Sequence, residues 1–80
     1  MDNLEKYKKV FIETLQIKEN QLEGLKYQDV DEWDSIGHMG LMTDLEEAFD
    51  IEMDIDDIID FSNFEKGMEI MGKYNIVING

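Results

Sequence analysis

The sequence predicts a small all-α protein, an antiparallel bundle of three main helices plus one short one. Apolar residues recur at helical spacing in three separate segments. The one stretch that alternates with period two, "FDIEMDIDDIIDF", has no convincing partner strand, and a lone strand is not stable in water. Finally, 80 residues with 42% hydrophobic content, no proline and no cysteine make one domain, residues 1–80, with neither disulfides nor thiolate metal sites to hold it together.

The first helix is expected from Asn3 to Ile17, with Leu4, Tyr7, Phe11 and Leu15 on one stripe and Asp2 with Glu5 as its N-terminal cap. From Lys18 to Trp33 no period holds, and Asn20 and Gly24 interrupt any helix. This segment reads as a long loop pinned to the core by Leu22, Leu25, Tyr27, Val30 and Trp33. The second helix runs from Ser35 to about Phe49 behind an Asp34 cap. His38, Leu41, Met42, Leu45, Ala48 and Phe49 share its inner face, while Ile36, Met39, Gly40, Thr43 and Glu47 fall outside. A short helix over 55–60 is expected to bury Ile55, Ile58 and Ile59. The last helix opens on the capping box Ser62-Asn63-Phe64-Glu65, turns Phe64, Met68 and Met71 inward, uses Gly67 for close approach, and ends near Tyr74-Asn75. An apolar tail, Ile76 to Ile78, follows.

Charge narrows the range of functions. Twenty acids against seven lysines leave a net charge of −13, and between Asp29 and Asp60 there are 13 acids and no Lys or Arg. Nucleic acid is an unfavourable partner for such a surface. Proteins with basic patches would instead be drawn to it. No run approaches the ~20 apolar residues of a membrane span, and the N-terminal stretch lacks the apolar core of a secretory signal, so a cytoplasmic location is expected.

The segment "EWDSIGHM", Glu32 to Met39, gathers the only Trp, an Asp-Ser pair and the only His. Ser35 and His38 lie three apart on a helix, but a nucleophile–base pair also needs an orienting acid and oxyanion donors in a closed pocket. With His38 turned to the core, no enzyme is expected. A metal site is not expected either: Asp50, Glu52 and Asp54 match the start of a calcium loop, but Ile55 and Phe61 stand where glycine and a bidentate Glu are required. Ser35 also reads as a substrate for modification, because the first turn of a helix favours an attached phosphate diester.

Asp34-Ser35-Ile36 at the head of an amphipathic helix that closes in Leu45-Glu46-Glu47-Ala48-Phe49 resembles the acyl carrier protein family. The resemblance extends over most of the chain. It implies an up-and-down four-helix bundle and a 4′-phosphopantetheine arm on Ser35, installed from coenzyme A by a phosphopantetheinyl transferase, with Asp34 capping the helix that displays it. Acyl or aminoacyl cargo would ride as a thioester on the arm, in fatty-acid-like or specialised biosynthesis. Enzymes that load or accept the cargo would dock through basic patches on Ile36, Met39, Thr43, Asp44, Glu46 and Glu47, and the carrier would act as a monomer. The chain departs from the fatty-acid-synthesis pattern at Gly37 and Gly40, where acids are usual. Trp33 and His38 look more like stand-alone carriers of specialised pathways. The alternative from another class is a small acidic interaction domain with no cofactor.

Overall fold

The computed structural model describes residues 2–78. Among these there are four α-helices and no strand: α1 (Asn3–Leu15), α2 (Ser35–Phe49), α3 (Ile55–Asp60) and α4 (Phe64–Gly72), with a 3-10 turn at Glu19–Gln21. The Cα radius of gyration, 11.3 Å, matches the ~11.6 Å expected of a compact chain this long. No helix among the described residues is long and apolar enough to cross a membrane.

The helix starts are set by side-chain caps. Asp2 accepts from the Glu5 amide at 2.8 Å, and Asp34 accepts from the Gly37 amide at 2.8 Å. The ends are set by residues that adopt the left-handed conformation. α1 stops at Leu15, two residues short of the expected Ile17, because Gln16 turns to φ 55° and the Ile17 amide folds back onto the Ile12 carbonyl at 3.2 Å. Asp50 closes α2 in the same way, with φ 55° and Ile51 bonded to the Glu46 carbonyl. Lys6 supports that end, reaching the Ala48 carbonyl at 3.2 Å and lying over the Phe49 ring.

α4 begins one residue later than the expected capping box. Asn63, not Ser62, is the N-cap, accepting from the Lys66 amide at 2.6 Å. Glu65 does not reach back to its own helix. Its carboxylate accepts from the Gly24 amide at 3.0 Å, so it anchors the long loop. Two backbone bonds, Tyr27 to the Ser62 carbonyl and Phe64 to the Leu25 carbonyl, both 2.9 Å, stitch the loop to the α3–α4 connection. Leu22, Leu25 and Trp33 are buried as expected, whereas Val30 is half-buried and Tyr27 stays exposed.

Phe11 is the centre of the core. The rings of Tyr7, Phe64, Trp33 and Phe61 surround it at 4.9, 5.1, 5.6 and 6.1 Å, which joins α1, the loop and α4 in one aromatic cluster. Leu41, Met42, Leu45 and Phe49 close it from α2. Gly67 leaves the space that the Tyr7 hydroxyl and Phe61 ring occupy, and that hydroxyl donates to the Phe64 carbonyl at 2.7 Å. Met68, expected inward, is only half-buried, and Ile70, not expected there, is buried instead.

α3 has the expected bounds and the opposite facing. Ile55 and Ile59 are 66% and 72% exposed, Ile58 is half-buried, and the residue turned inward is Asp57. The cause lies in the turn after α4. Lys73 donates to one Asp57 oxygen at 2.6 Å and the Tyr74 hydroxyl donates to the other at 2.5 Å, while that same hydroxyl accepts from the Asp54 amide at 2.8 Å. Lys73 and Tyr74 together hold the Asp57 carboxyl below the usual carboxylate range. A fully partnered acid can be drawn inward where three isoleucines would otherwise face the core.

Of the tail, Ile76 and Ile78 pack partly against the core and Val77 is exposed, its carbonyl accepting from the Asn3 side chain at 3.1 Å. Asn79 and Gly80 lie outside the described residues.

Candidate modification site at the head of α2

Ser35 is the first residue of α2 and is exposed. The amides of a helix's first turn have no partner inside the helix. Asp34 takes that of Gly37, which leaves the Ser35 and Ile36 amides without an intrahelical acceptor beside the serine hydroxyl. That corner therefore presents a hydroxyl, two donors and the positive end of a helix dipole, a combination suited to a phosphate ester.

Ser35 opens onto a cleft of about 330 Å³ between α2 and α3. Its walls are largely apolar: Met39 on the α2 side, Ile55, Ile58 and Ile59 on the α3 side, and Tyr27 and Phe61 at the end. Around the mouth, Ile36 is 83% exposed and Met39 50% exposed. The outward turn of α3 thus brings Ile55 and Ile59 to the serine. Those two, with Tyr27, belong to the surface of the site, although their sequence pattern assigns them to the core. The signal that redirects them is the Lys73–Asp57–Tyr74 contact, which is long-range and invisible in local periodicity.

His38 lines the same cleft but is not free to act as a base. Its Nδ1 accepts from the Trp33 indole N–H at 2.9 Å and its Nε2 faces the Ile58 carbonyl at 2.7 Å, so both ring nitrogens are engaged. Trp33, buried completely, stacks near-parallel to the imidazole and meets Phe11 edge-on.

The acids expected on the outer face of α2 are not all alike. Thr43 and Glu47 are exposed. Asp44 accepts from the Thr14 hydroxyl of α1 at 2.6 Å, and Glu46, half-buried, accepts from the Met53 amide at 2.8 Å. Both carboxylates therefore have structural partners, and Asp44 remains exposed.

Gly37 explains one departure from the acidic pattern. A methyl placed there would overlap the Glu32 carbonyl oxygen and lie 2.9 Å from its carbon, because the loop closes directly onto the first turn of α2. Nothing stands within 4 Å of the corresponding position at Gly40. Among the described residues, no three His, Cys, Asp or Glu side chains converge to hold a metal ion. A larger open groove, about 660 Å³, lies between α1, the 3-10 turn and α4, away from Ser35. Comparison with protein-family models, curated proteins and solved structures finds no match for this chain.

Proposed function

We propose that this chain is an acyl carrier protein that bears 4′-phosphopantetheine on Ser35. The observation that carries the proposal is an exposed serine at the first position of a capped helix, opening onto an apolar cleft of about 330 Å³. The Ser35 hydroxyl would attack the phosphate of coenzyme A that bears pantetheine, displacing 3′,5′-ADP, with its proton taken up by the transferase. The arm's thiol supplies the chemistry that a chain without cysteine lacks: it takes acyl or aminoacyl groups as thioesters. The chain's own part is to display the hydroxyl, favour the phosphate at the helix terminus and offer apolar contact beside it. No catalytic residue is assigned.

Partner enzymes would meet the apolar mouth of Ile36 and Met39, extended by Ile55 and Ile59. The surrounding segment 29–60 carries no Lys or Arg, which suits partners with basic patches. The same patch also favours a second reading, a cofactor-free acidic docking domain. Intact mass decides between them. After incubation with coenzyme A and a broad-specificity phosphopantetheinyl transferase, the wild type gains one phosphopantetheine and Ser35→Ala gains none. A wild type that keeps its mass under conditions that load a control carrier leaves the docking-domain reading.

A further inference from the structure

α3 is six residues long, too short to be stable by its own hydrogen bonds, so it depends on contacts from outside. On one side, Tyr74 and Lys73 hold the Asp54 amide and the Asp57 carboxylate. On the cleft side, the contact is His38, whose Nε2 lies 2.7 Å from the Ile58 carbonyl. Carbonyls in the last turn of a helix have no partner within it, and Ile58 is such a residue.

The protonation of the imidazole follows from its neighbours. An indole N–H can only donate, so Nδ1, 2.9 Å from it, must be the acceptor. The single proton of the neutral ring is then on Nε2, directed at the Ile58 carbonyl. The ring is held further by Tyr27 and Phe61, edge-on at 5.7 and 6.3 Å between centroids, and its own amide bonds the Asp34 carbonyl at 2.7 Å. One side chain therefore connects the loop, through Trp33, to α3, through Ile58, while rooted one turn after Ser35.

The geometry points to His38 as a positioning residue, a neutral strut between Trp33 and Ile58 that sets the α2–α3 spacing and so keeps the cleft beside Ser35 open to a docking enzyme. Its consequence for modification rests on the reading of Ser35 given above; the strut itself does not. Ser35, His38 and Met39 form one wall and Ile55, Ile58 and Ile59 the other, so a change in their spacing alters the apolar surface around the serine. His38 takes no part in the transfer, since neither nitrogen is available to the hydroxyl.

Two measurements on the full chain test the strut, and a third tests its consequence. Long-range ¹⁵N–¹H spectra of the imidazole should show a protonated Nε2 and a bare Nδ1; the opposite tautomer overturns the proposal. In His38→Leu, amide exchange across 55–60 should accelerate about tenfold, the factor one lost hydrogen bond carries. Exchange in α1 and α4 should stay within about twofold of wild type on the same basis. Equal acceleration everywhere, or none in α3, overturns it. In transfer from coenzyme A, His38→Leu should raise the KM for the carrier with kcat retained, and His38→Gln, which keeps a donor and an acceptor, should recover part of it. An unchanged KM refutes the consequence for docking. A wild type that accepts no arm removes the Ser35 reading, and the exchange pattern then judges the strut alone. Should His38→Leu fail to fold, Trp33→Phe removes the indole donor alone: the proton should stay on Nε2, which the Ile58 carbonyl still accepts, while the Nδ1 resonance moves as its hydrogen bond is lost. An unmoved Nδ1 resonance would contradict the assignment.

Discussion

Gly37 and Gly40 sit three residues apart on α2 and should respond to the same substitution with opposite signs. In a helix, alanine is favoured over glycine by about 0.8–1.0 kcal/mol. At Gly40 nothing lies within 4 Å of the added methyl, so Gly40→Ala should stabilise the protein by about 0.5–1 kcal/mol. At Gly37 the methyl meets the Glu32 carbonyl, backbone that cannot rotate aside. Relieving that overlap must move the loop away from α2 and disturb Trp33, the next residue, which is wholly buried. Overpacking costs about 1–3 kcal/mol, and an overlap with fixed backbone takes the upper end, about 2–3 kcal/mol, which exceeds the gain in helix propensity. Gly37→Ala should therefore be destabilising by about 1–2 kcal/mol net of that gain. For a domain of this size each kcal/mol moves the melting temperature by about 4–8 °C. Thermal melts followed by helical circular dichroism, with Trp33 fluorescence reporting the loop, separate the pair by about 6 °C or more on the same scaling. Equal melting temperatures, or a more stable Gly37→Ala, would refute the idea that the loop closes against the first turn of α2.

Other consequences can be checked in the same assays. Gly67→Ala should destabilise by about 3 kcal/mol or more, since its methyl would occupy the space of the Tyr7 hydroxyl and the Phe61 ring; a chevron or urea midpoint near wild type would contradict that packing. Burial, with Glu65 adding to it, pushes the Tyr7 hydroxyl well above its ordinary value. Its contribution is complete below about pH 10 and lost as pH rises beyond it, so Tyr7→Phe should cost about 1 kcal/mol at neutral pH and flatten the alkaline limb. Lys73 and Tyr74 are also raised, so part of that limb should remain. Asp57 has the opposite sign: its lowered value stabilises above the ordinary carboxylate range near pH 4 and is lost as pH falls through the folded value. Lys73→Met should accordingly move the acid transition to higher pH, and an unmoved transition would discount the contact. A net charge of −13 predicts melting temperatures that rise with added salt; melts insensitive to ionic strength would count against self-repulsion.

Where local chemistry decides structure, the sequence was legible. Asp2 and Asp34 are recognisable caps, the stripe of Tyr7, Phe11 and Leu15 defines the buried face of α1, and Ser35 at the head of α2 lies where the pattern puts it. The failures share a cause. Ser62-Asn63-Phe64-Glu65 satisfies a capping-box pattern, yet Glu65 bonds Gly24, 41 residues away. Ile55, Ile58 and Ile59 fit an inward stripe, yet Lys73 and Tyr74 supply Asp57 with partners that reverse the helix. In both, a polar contact distant in sequence overrode a local preference worth about 1 kcal/mol. The candidate site inherits that limit: Ser35, Ile36 and Met39 are readable from α2 alone, whereas Ile55 and Ile59 join them only through the tertiary contact.

The most direct measurement of the central claim is the location of the arm. The chain has two serines, Ser35 and Ser62, and both line the cleft, which makes Ser62 an internal control. Peptide fragmentation of the protein after reaction with coenzyme A and a phosphopantetheinyl transferase should place one phosphopantetheine on Ser35 and none on Ser62. A group on Ser62, or an unmodified chain beside a loaded control carrier, would contradict the account.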